Sequence, residues 1–225
     1  MIRFEHLSKS FWIRGHKKVV IDDLTMTLPT GKSLALLGRN GAGKTTLLSI
    51  IAGIQAADSG EVISDGTISW PVAFGGSFHR DLTGAQNVRF VARAYGVDSE
   101  ELIEFVEDFA EIGRHFHMPV RSYSAGMRAR LTFGLSMGIR FDTYLIDEVT
   151  AVGDANFNRK SQAVFLARVK NASAIMVSHS TGKLRGFCDS GIVLNDGRME
   201  YYDDLDEAIA RHEEINLTPL ARKRA

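Results

Sequence analysis

Gly38-Arg39-Asn40-Gly41-Ala42-Gly43-Lys44-Thr45 is the stretch that decides the fold. It meets every fixed position of G-x-x-x-x-G-K-[ST]. Just upstream, residues 33–37 (Ser-Leu-Ala-Leu-Leu) form a short apolar run that suits a buried strand. Just downstream, residues 44–52 predict a helix with Gly53 at its end. A strand, a glycine-rich turn and a helix, in that order, make an anion cradle. The glycines let successive backbone N–H groups point inward, and the helix start adds about half a positive charge. Lys44 brings a full charge for the β and γ phosphates of a nucleotide, and the Thr45 hydroxyl is a candidate ligand for Mg²⁺. With Thr46 next in line, residues 38–46 are the candidate phosphate contacts.

Strands are also expected at residues 2–7 and 19–28, and at 61–64 and 67–74 around an Asp65-Gly66 turn. Thr83 with Gln86 forms a capping box that opens a helix to about Tyr95. Helices follow at 100–112, 125–137 and 156–170, with strands at 143–146 and 172–177. Asp196-Gly197 between residues 192–195 and 198–202 is a strong hairpin signal, and residues 205–214 read as a closing helix. Strands and helices alternate in the outer parts of the chain, while only helices appear between about residues 83 and 138. The expected architecture is an α/β P-loop core with a helical insertion.

Further motifs carry chemistry. Residues 143–148 (Thr-Tyr-Leu-Ile-Asp-Glu) are a largely apolar strand ending in two carboxylates. A carboxylate at a strand's C-terminal end sits beside the phosphate loop in such sheets. Asp147 is therefore the candidate to hold Mg²⁺, and Glu148 the candidate to polarise the attacking water. His179 follows another core strand, which puts it near the γ-phosphate, although a lone histidine is more often structural. Ser124 is a natural N-cap before a helix. With Ala125, Gly126 and Met127 it offers small residues, free N–H groups and a helix dipole, the makings of a second anion site.

The set 38–45, 123–127, Asp147-Glu148 and His179, in that order, resembles an ABC-type ATPase. The phosphate loop alone says only NTPase; the 123–127 segment just upstream of the acidic strand is what singles out ABC proteins. The resemblance implies a mixed sheet core with N-terminal antiparallel strands and a helical subdomain at about 83–138, within an ATPase domain spanning 1–215. Residues 216–225 are expected to form a flexible tail. It implies ATP and Mg²⁺ as cofactors, with catalytic roles for Glu148, His179 and Lys44. It places an adenine-stacking aromatic at Phe11, with Trp12 as the open alternative, and a dimer-contacting segment at Val152-Gly153-Asp154. Two segments depart from the usual family pattern. The signature reads Ala125-Gly126-Met127 rather than Gly-Gly-Gln, and Ala73-Phe74-Gly75-Gly76-Ser77-Phe78 lacks the family's metal-assisting glutamine. Tyr-Ser-Ala-Gly-Met, Val-Gly-Asp and Leu82-Thr83-Gly84 with Asn87 are similar to the polysaccharide-exporting branch, closest to the capsular exporters of Gram-negative bacteria. An end about ten residues after the last helix favours that type over O-antigen and teichoic acid exporters with C-terminal extensions.

Composition sets bounds on this reading. The 225 residues carry 27 Lys+Arg and 27 Asp+Glu, a net charge of zero, so no global field draws the chain to nucleic acid. Cys188 is the one cysteine, which rules out an intrachain disulfide and a cysteine metal cluster. No signal peptide is visible at residues 1–10, and no apolar run approaches the ~20 residues that span a bilayer. The expectation is a soluble ATPase at the cytoplasmic face of the inner membrane, held there by a separate membrane-spanning permease. It would act as a dimer with a second copy of itself, alongside further envelope polysaccharide-export proteins and no nucleic acid. A soluble ABC ATPase working on nucleic acid would need a second cassette or a long coiled-coil insertion, and a non-hydrolysing regulator would have no use for Glu148. The 74–81 segment, with Phe74 and Phe78 among glycines, is the expected groove for the permease.

Overall fold

The computed structural model describes residues 1–29, 31–72, 78–147, 155–178 and 180–217. Glu148, His179, the Val152-Gly153-Asp154 segment, residues 73–77 and residues 218–225 lie outside the described residues.

The chain opens with β1 (Ile2–Ile13) and β2 (His16–Leu28). These two antiparallel strands are longer than the sequence suggested and are joined at Arg14-Gly15, with Ile13 paired to His16. Both turn residues have positive φ, 49° and 82°, as a type I′ hairpin requires. An arginine at the first position hides that signal, because asparagine and aspartate are the residues that advertise it. Next come β3 (Ser33–Leu37), as expected, and α1 (Lys44–Ile51). Then follow β4 (Ser59–Ser64) and β5 (Ile68–Pro71).

The hairpin expected at Asp65-Gly66 is not made, and this corrects the sequence reading. β4 pairs with β1, in a sheet ordered β2-β1-β4 to which β5 does not belong. Neither Asp65 nor Gly66 has positive φ. Their turn is held in other ways. The Ser64 hydroxyl donates to the Gly66 carbonyl at 2.8 Å and accepts from its amide at 3.2 Å. The Asp142 carboxylate accepts from the Thr67 amide and hydroxyl at 2.7 and 2.8 Å, and these bonds hold the Asp142 carboxyl below its usual range.

Helices α2 (Gly84–Tyr95), α3 (Ser99–Ala110) and α4 (Ala125–Gly138) follow, with short 3-10 turns at Gly113–His117 and Val120–Ser122. Both halves of the capping box at the start of α2 are present: Thr83 Oγ1 accepts from the Gln86 amide, and Gln86 Oε1 accepts from the Thr83 amide. The remaining elements are β6 (Thr143–Asp147), α5 (Ala155–Val169), β7 (Ser173–Val177), the short α6 (Thr181–Arg185), β8 (Ser190–Asn195), β9 (Arg198–Tyr202) and α7 (Leu205–Leu217). At Asp196-Gly197 the predicted hairpin forms, with φ values of 47° and 82° and β8 antiparallel to β9.

Two compact units result. The first comprises residues 1–68, 142–148 and 172–225, the second residues 69–141 and 149–171. In the first, strands run in the order β6-β7-β3-β8-β9, with β6, β7, β3 and β8 parallel. Helix α1 buries Leu47, Leu48, Ile50 and Ile51 in a core shared with Phe4, Leu7, Ile21, Leu36, Leu145 and Leu194. Each such side chain is worth roughly 1.5–3 kcal/mol when fully buried. In the second unit, Phe105, Phe109 and Phe133 stack in series at 5.8 and 5.9 Å, and Phe157 meets Phe109 edge-on at 5.3 Å. Cys188 is buried, and that burial pushes its thiol up to about 12, so it behaves as a small hydrophobe. Among the described residues no helix is long and apolar enough to cross a membrane.

Candidate functional site

The loop at 38–45 leaves the C-terminal end of β3 and runs into α1 through Gly43, an N-cap with no side chain to cap the helix. Its glycines are fixed by what surrounds them. Gly43 has φ 108°, and a Cβ there would overlap the Val20 side chain on β2. A Cβ on Gly38 would come within 2.6 Å of the Leu194 carbonyl on β8. At Gly38 and Gly43 the loop is thus pressed against the two strands, and there only a bare backbone fits.

Cationic side chains line the same loop. Lys44 Nζ donates to the Gly38 carbonyl at 2.7 Å and the Arg39 carbonyl at 3.2 Å. Lys18, on β2, donates to the Gly41 carbonyl at 2.7 Å. Arg39 donates to the Ile215 carbonyl of α7 at 3.3 Å, tying the loop to the last helix of the unit. Sequence reasoning missed Lys18, Val20 and the Arg39–α7 bond. No motif marks them, and only the pairing of β2 with β1 brings the first two to the loop.

The acidic strand end is where the sequence placed it. β6 lies two strands from β3, with β7 between them. Its last residue, Asp147, accepts a hydrogen bond from Thr45 Oγ1 at 3.0 Å. A hydroxyl and a carboxylate, both hard oxygen donors, thus meet at the mouth of an anion cradle. That donor set fits Mg²⁺, which takes one or two protein oxygens and fills the rest of its octahedron with phosphate oxygens and water. Among the described residues no cluster of three or more His, Cys, Asp or Glu could hold a metal by itself.

Phe11 is partly buried against the core of the first unit, opposite Lys18 in the β1–β2 register, with Lys9 Nζ 5.4 Å from its ring centroid. Trp12 is 74% exposed. Of the two, Phe11 is the aromatic next to a residue that touches the phosphate loop.

In the second unit, Ser124 caps α4, its hydroxyl accepting from the Met127 amide at 3.1 Å. Ser124, Ala125 and Gly126 are exposed, and a Cβ on Gly126 would meet nothing closer than Ser124 Oγ at 3.9 Å. This helix start is open to an approaching group. Behind it, Tyr123 is buried, and burial pushes its phenol up to about 12. The Gly84 amide faces the phenol oxygen without completing a hydrogen bond.

A strand–glycine loop–helix with its lysine, threonine and strand-end aspartate in this arrangement defines a P-loop nucleotide-binding cassette. The described ABC transporter family matches residues 21–151, more than half of the sequence, and the chain belongs to that family. It is 51% identical to the polysialic acid transport ATP-binding protein KpsT of Escherichia coli over 212 residues, covering 93% of this chain and 95% of that protein. It is 43% identical to the capsule polysaccharide export ATP-binding protein CtrD of Neisseria meningitidis serogroup B, covering 92% of this chain and 96% of the other. In fold it resembles the solved dimeric post-hydrolysis state of the ATP-binding cassette MJ0796 bound to ADP and Pi. That match has a TM-score of 0.70 at 19% identity and covers 91% of this chain and 99% of that one.

Proposed function

We propose that the chain is the ATP-binding and ATP-hydrolysing subunit of a capsular polysaccharide exporter. It works at the cytoplasmic face of the inner membrane through a separate membrane-spanning subunit, alongside further envelope export proteins. The observation that carries the chemistry is the 3.0 Å bond between Thr45 Oγ1 and Asp147 at the mouth of the phosphate loop. The substrate class rests on the 51% identity to a polysialic acid transport protein, maintained over 93% of the chain.

In this reading residues 1–215 form the ATPase domain, with a helical subdomain at about 83–138, and of the tail expected at 216–225 the first two residues belong to α7 instead. The amides of residues 38–46 hold the triphosphate. The Lys44 ammonium, bonded to two carbonyls inside the loop, is drawn to the β and γ phosphates when they compete for it. Thr45 and Asp147 hold Mg²⁺, which supplies charge neutralisation to the phosphates when bound. Glu148 takes the proton of the attacking water and His179 stands by the γ-phosphate, both assigned through their places after β6 and β7. Ser124, Ala125, Gly126 and Met127 sit in the second unit, with their helix start exposed. A second copy, related by a two-fold axis, would bring this signature onto the γ-phosphate held by the first.

Two outcomes test the reading. Purified with its membrane partner in proteoliposomes, the subunit should hydrolyse ATP with Mg²⁺ and lose that activity in EDTA. Turnover should rise with a capsular glycan. A rise with an O-antigen or teichoic acid glycan and none with a capsular one would reassign the substrate; no hydrolysis at all would overturn the reading.

The adenine contact gives a separate expectation. Phe11→Ala should weaken ATP binding by about 1–3 kcal/mol while leaving inorganic triphosphate binding nearly unchanged, because only the base stacks on the ring. Isothermal calorimetry with both ligands reads the difference. The same pattern in Trp12→Ala, with Phe11→Ala unaffected, would move the contact by one residue.

A further inference from the structure

We infer that Tyr123 is a positioning residue for the signature: seated on Gly84, it fixes where the Ser124 cap stands relative to residues 79–84. The inference rests on the ATPase reading above and adds a part to it.

The observations lie within the second unit. Residues 79–83 and 119–121 run side by side as a short antiparallel ribbon. Thr83 bridges Pro119. The Val120 amide donates to the Leu82 carbonyl at 2.9 Å, and the Arg121 amide to the Arg80 carbonyl at 2.8 Å. The Arg121 guanidinium donates to Asp81 at 2.6 Å. One side of the ribbon is fixed to α2 by Asn87, which is 3% exposed. Asn87 Oδ1 accepts from the His79 amide at 2.8 Å, and its Nδ2 donates to the His79, Leu82 and Thr83 carbonyls at 3.1, 3.3 and 2.9 Å. A buried amide with that many bonds does not move independently of its partners.

The other side of the ribbon runs through Tyr123 into the cap of α4. The Tyr123 carbonyl accepts from Arg128 at 2.6 Å, and Ser124 accepts from Met127. The Tyr123–Ser124 junction is therefore held from α4 and from the ribbon together. The ring itself lies against Gly84, the first residue of α2.

Gly84 shows what that contact demands. It is not among the glycines with positive φ, so its backbone alone would accept alanine. What forbids a side chain is the neighbourhood. A Cβ would overlap Tyr123 Oη and stand 2.9 Å from the Phe116 carbonyl. To reach ordinary contact the phenol would have to withdraw by about 1 Å. Since Tyr123 is bonded directly to Ser124, that withdrawal is passed to the exposed start of α4. By the same linkage, a displacement of the 79–84 segment is passed to the signature.

A suppressor experiment tests this on the subunit purified with its membrane partner. Gly84→Ala should lower kcat for ATP by about 10–100-fold, the order expected for an ångström-scale misplacement near the chemistry. The nucleotide Kd of the phosphate loop should stay within about twofold, since Gly84 and Tyr123 belong to the other unit. Adding Tyr123→Phe removes the nearer of the two overlaps, leaving the 2.9 Å approach to the Phe116 carbonyl, and should restore part of the lost kcat. A wild-type kcat in Gly84→Ala overturns the inference, as does a loss that Tyr123→Phe does not relieve. If Gly84→Ala does not fold, Tyr123→Ala is measured instead. It should lose turnover while keeping nucleotide affinity, and normal turnover there equally overturns the inference. An inactive wild-type complex would instead sink the ATPase reading on which this rests, so the two failures are distinguishable.

Discussion

Lys44→Ala is expected to weaken ATP binding about 10²–10⁴-fold. The lysine contributes one of the two full positive charges of the 38–45 motif, and the other, Arg39, donates to the Ile215 carbonyl of α7. A charge-assisted hydrogen bond contributes about 1.5–3 kcal/mol, and one ammonium can make two of them to phosphate oxygens. Two such bonds amount to about 3–6 kcal/mol, which spans the expected range at roughly 1.4 kcal/mol per tenfold. Lys44 also holds the Gly38 and Arg39 carbonyls, so its loss loosens the loop that presents the amides. The core contacts of α1 are made by Leu47, Leu48, Ile50 and Ile51, and they survive the substitution. The variant should therefore fold, with a small shift in melting temperature and a large one in affinity. Calorimetry with ATP and Mg²⁺ reads the affinity, and an unchanged Kd would remove this loop from the nucleotide site.

Glu148→Gln is expected to keep that affinity and lose about 10²–10⁴ in hydrolysis rate, the usual contribution of a positioned general base. Glutamine preserves the shape of the side chain and removes its capacity to take a proton. Binding rests on residues 38–46 and Asp147, which the substitution leaves alone. Single-turnover kinetics separate the two effects: the ATP-bound complex should form normally and decay slowly. Wild-type turnover in this variant would mean that another group accepts the proton.

Parts of this structure that depend on neighbouring residues alone were readable from the sequence. The phosphate loop, the Thr83–Gln86 capping box and the Asp196-Gly197 hairpin are each written within a few positions. Each has a mechanism that needs no distant partner. Asp65-Gly66 carries the same two letters as the real hairpin and makes none. There the outcome is decided at a distance, by Asp142 taking the Thr67 amide and by the Met1 ammonium pairing with Asp65. The converse happens at Arg14-Gly15, where a hairpin forms without a favoured pair of residues. β1 and β2 gain enough from pairing along their length to hold the arginine at positive φ. At the site, motif spacing identifies Thr45 and Asp147, and the sheet order explains why they meet. Lys18, Val20 and the Tyr123–Gly84 contact carry no local signature. Each is a tertiary consequence, visible only once strand register or helix packing is known.

In the proposed cycle one chain supplies the phosphate loop and a second copy supplies the signature. The mass of Glu148→Gln in saturating ATP and Mg²⁺ tests it most directly, by light scattering of the purified subunit and of its complex with the membrane partner. Without hydrolysis the γ-phosphate stays in place as a bridge between the two copies, and contacts present only in the closed state hold them together. A shared site requires twice the subunit mass with ATP and the single mass with ADP. Adding Ser124→Arg should abolish the ATP-dependent doubling while leaving ATP affinity unchanged. A Glu148→Gln subunit that stays monomeric in saturating ATP, alone and with its membrane partner, would contradict the shared site.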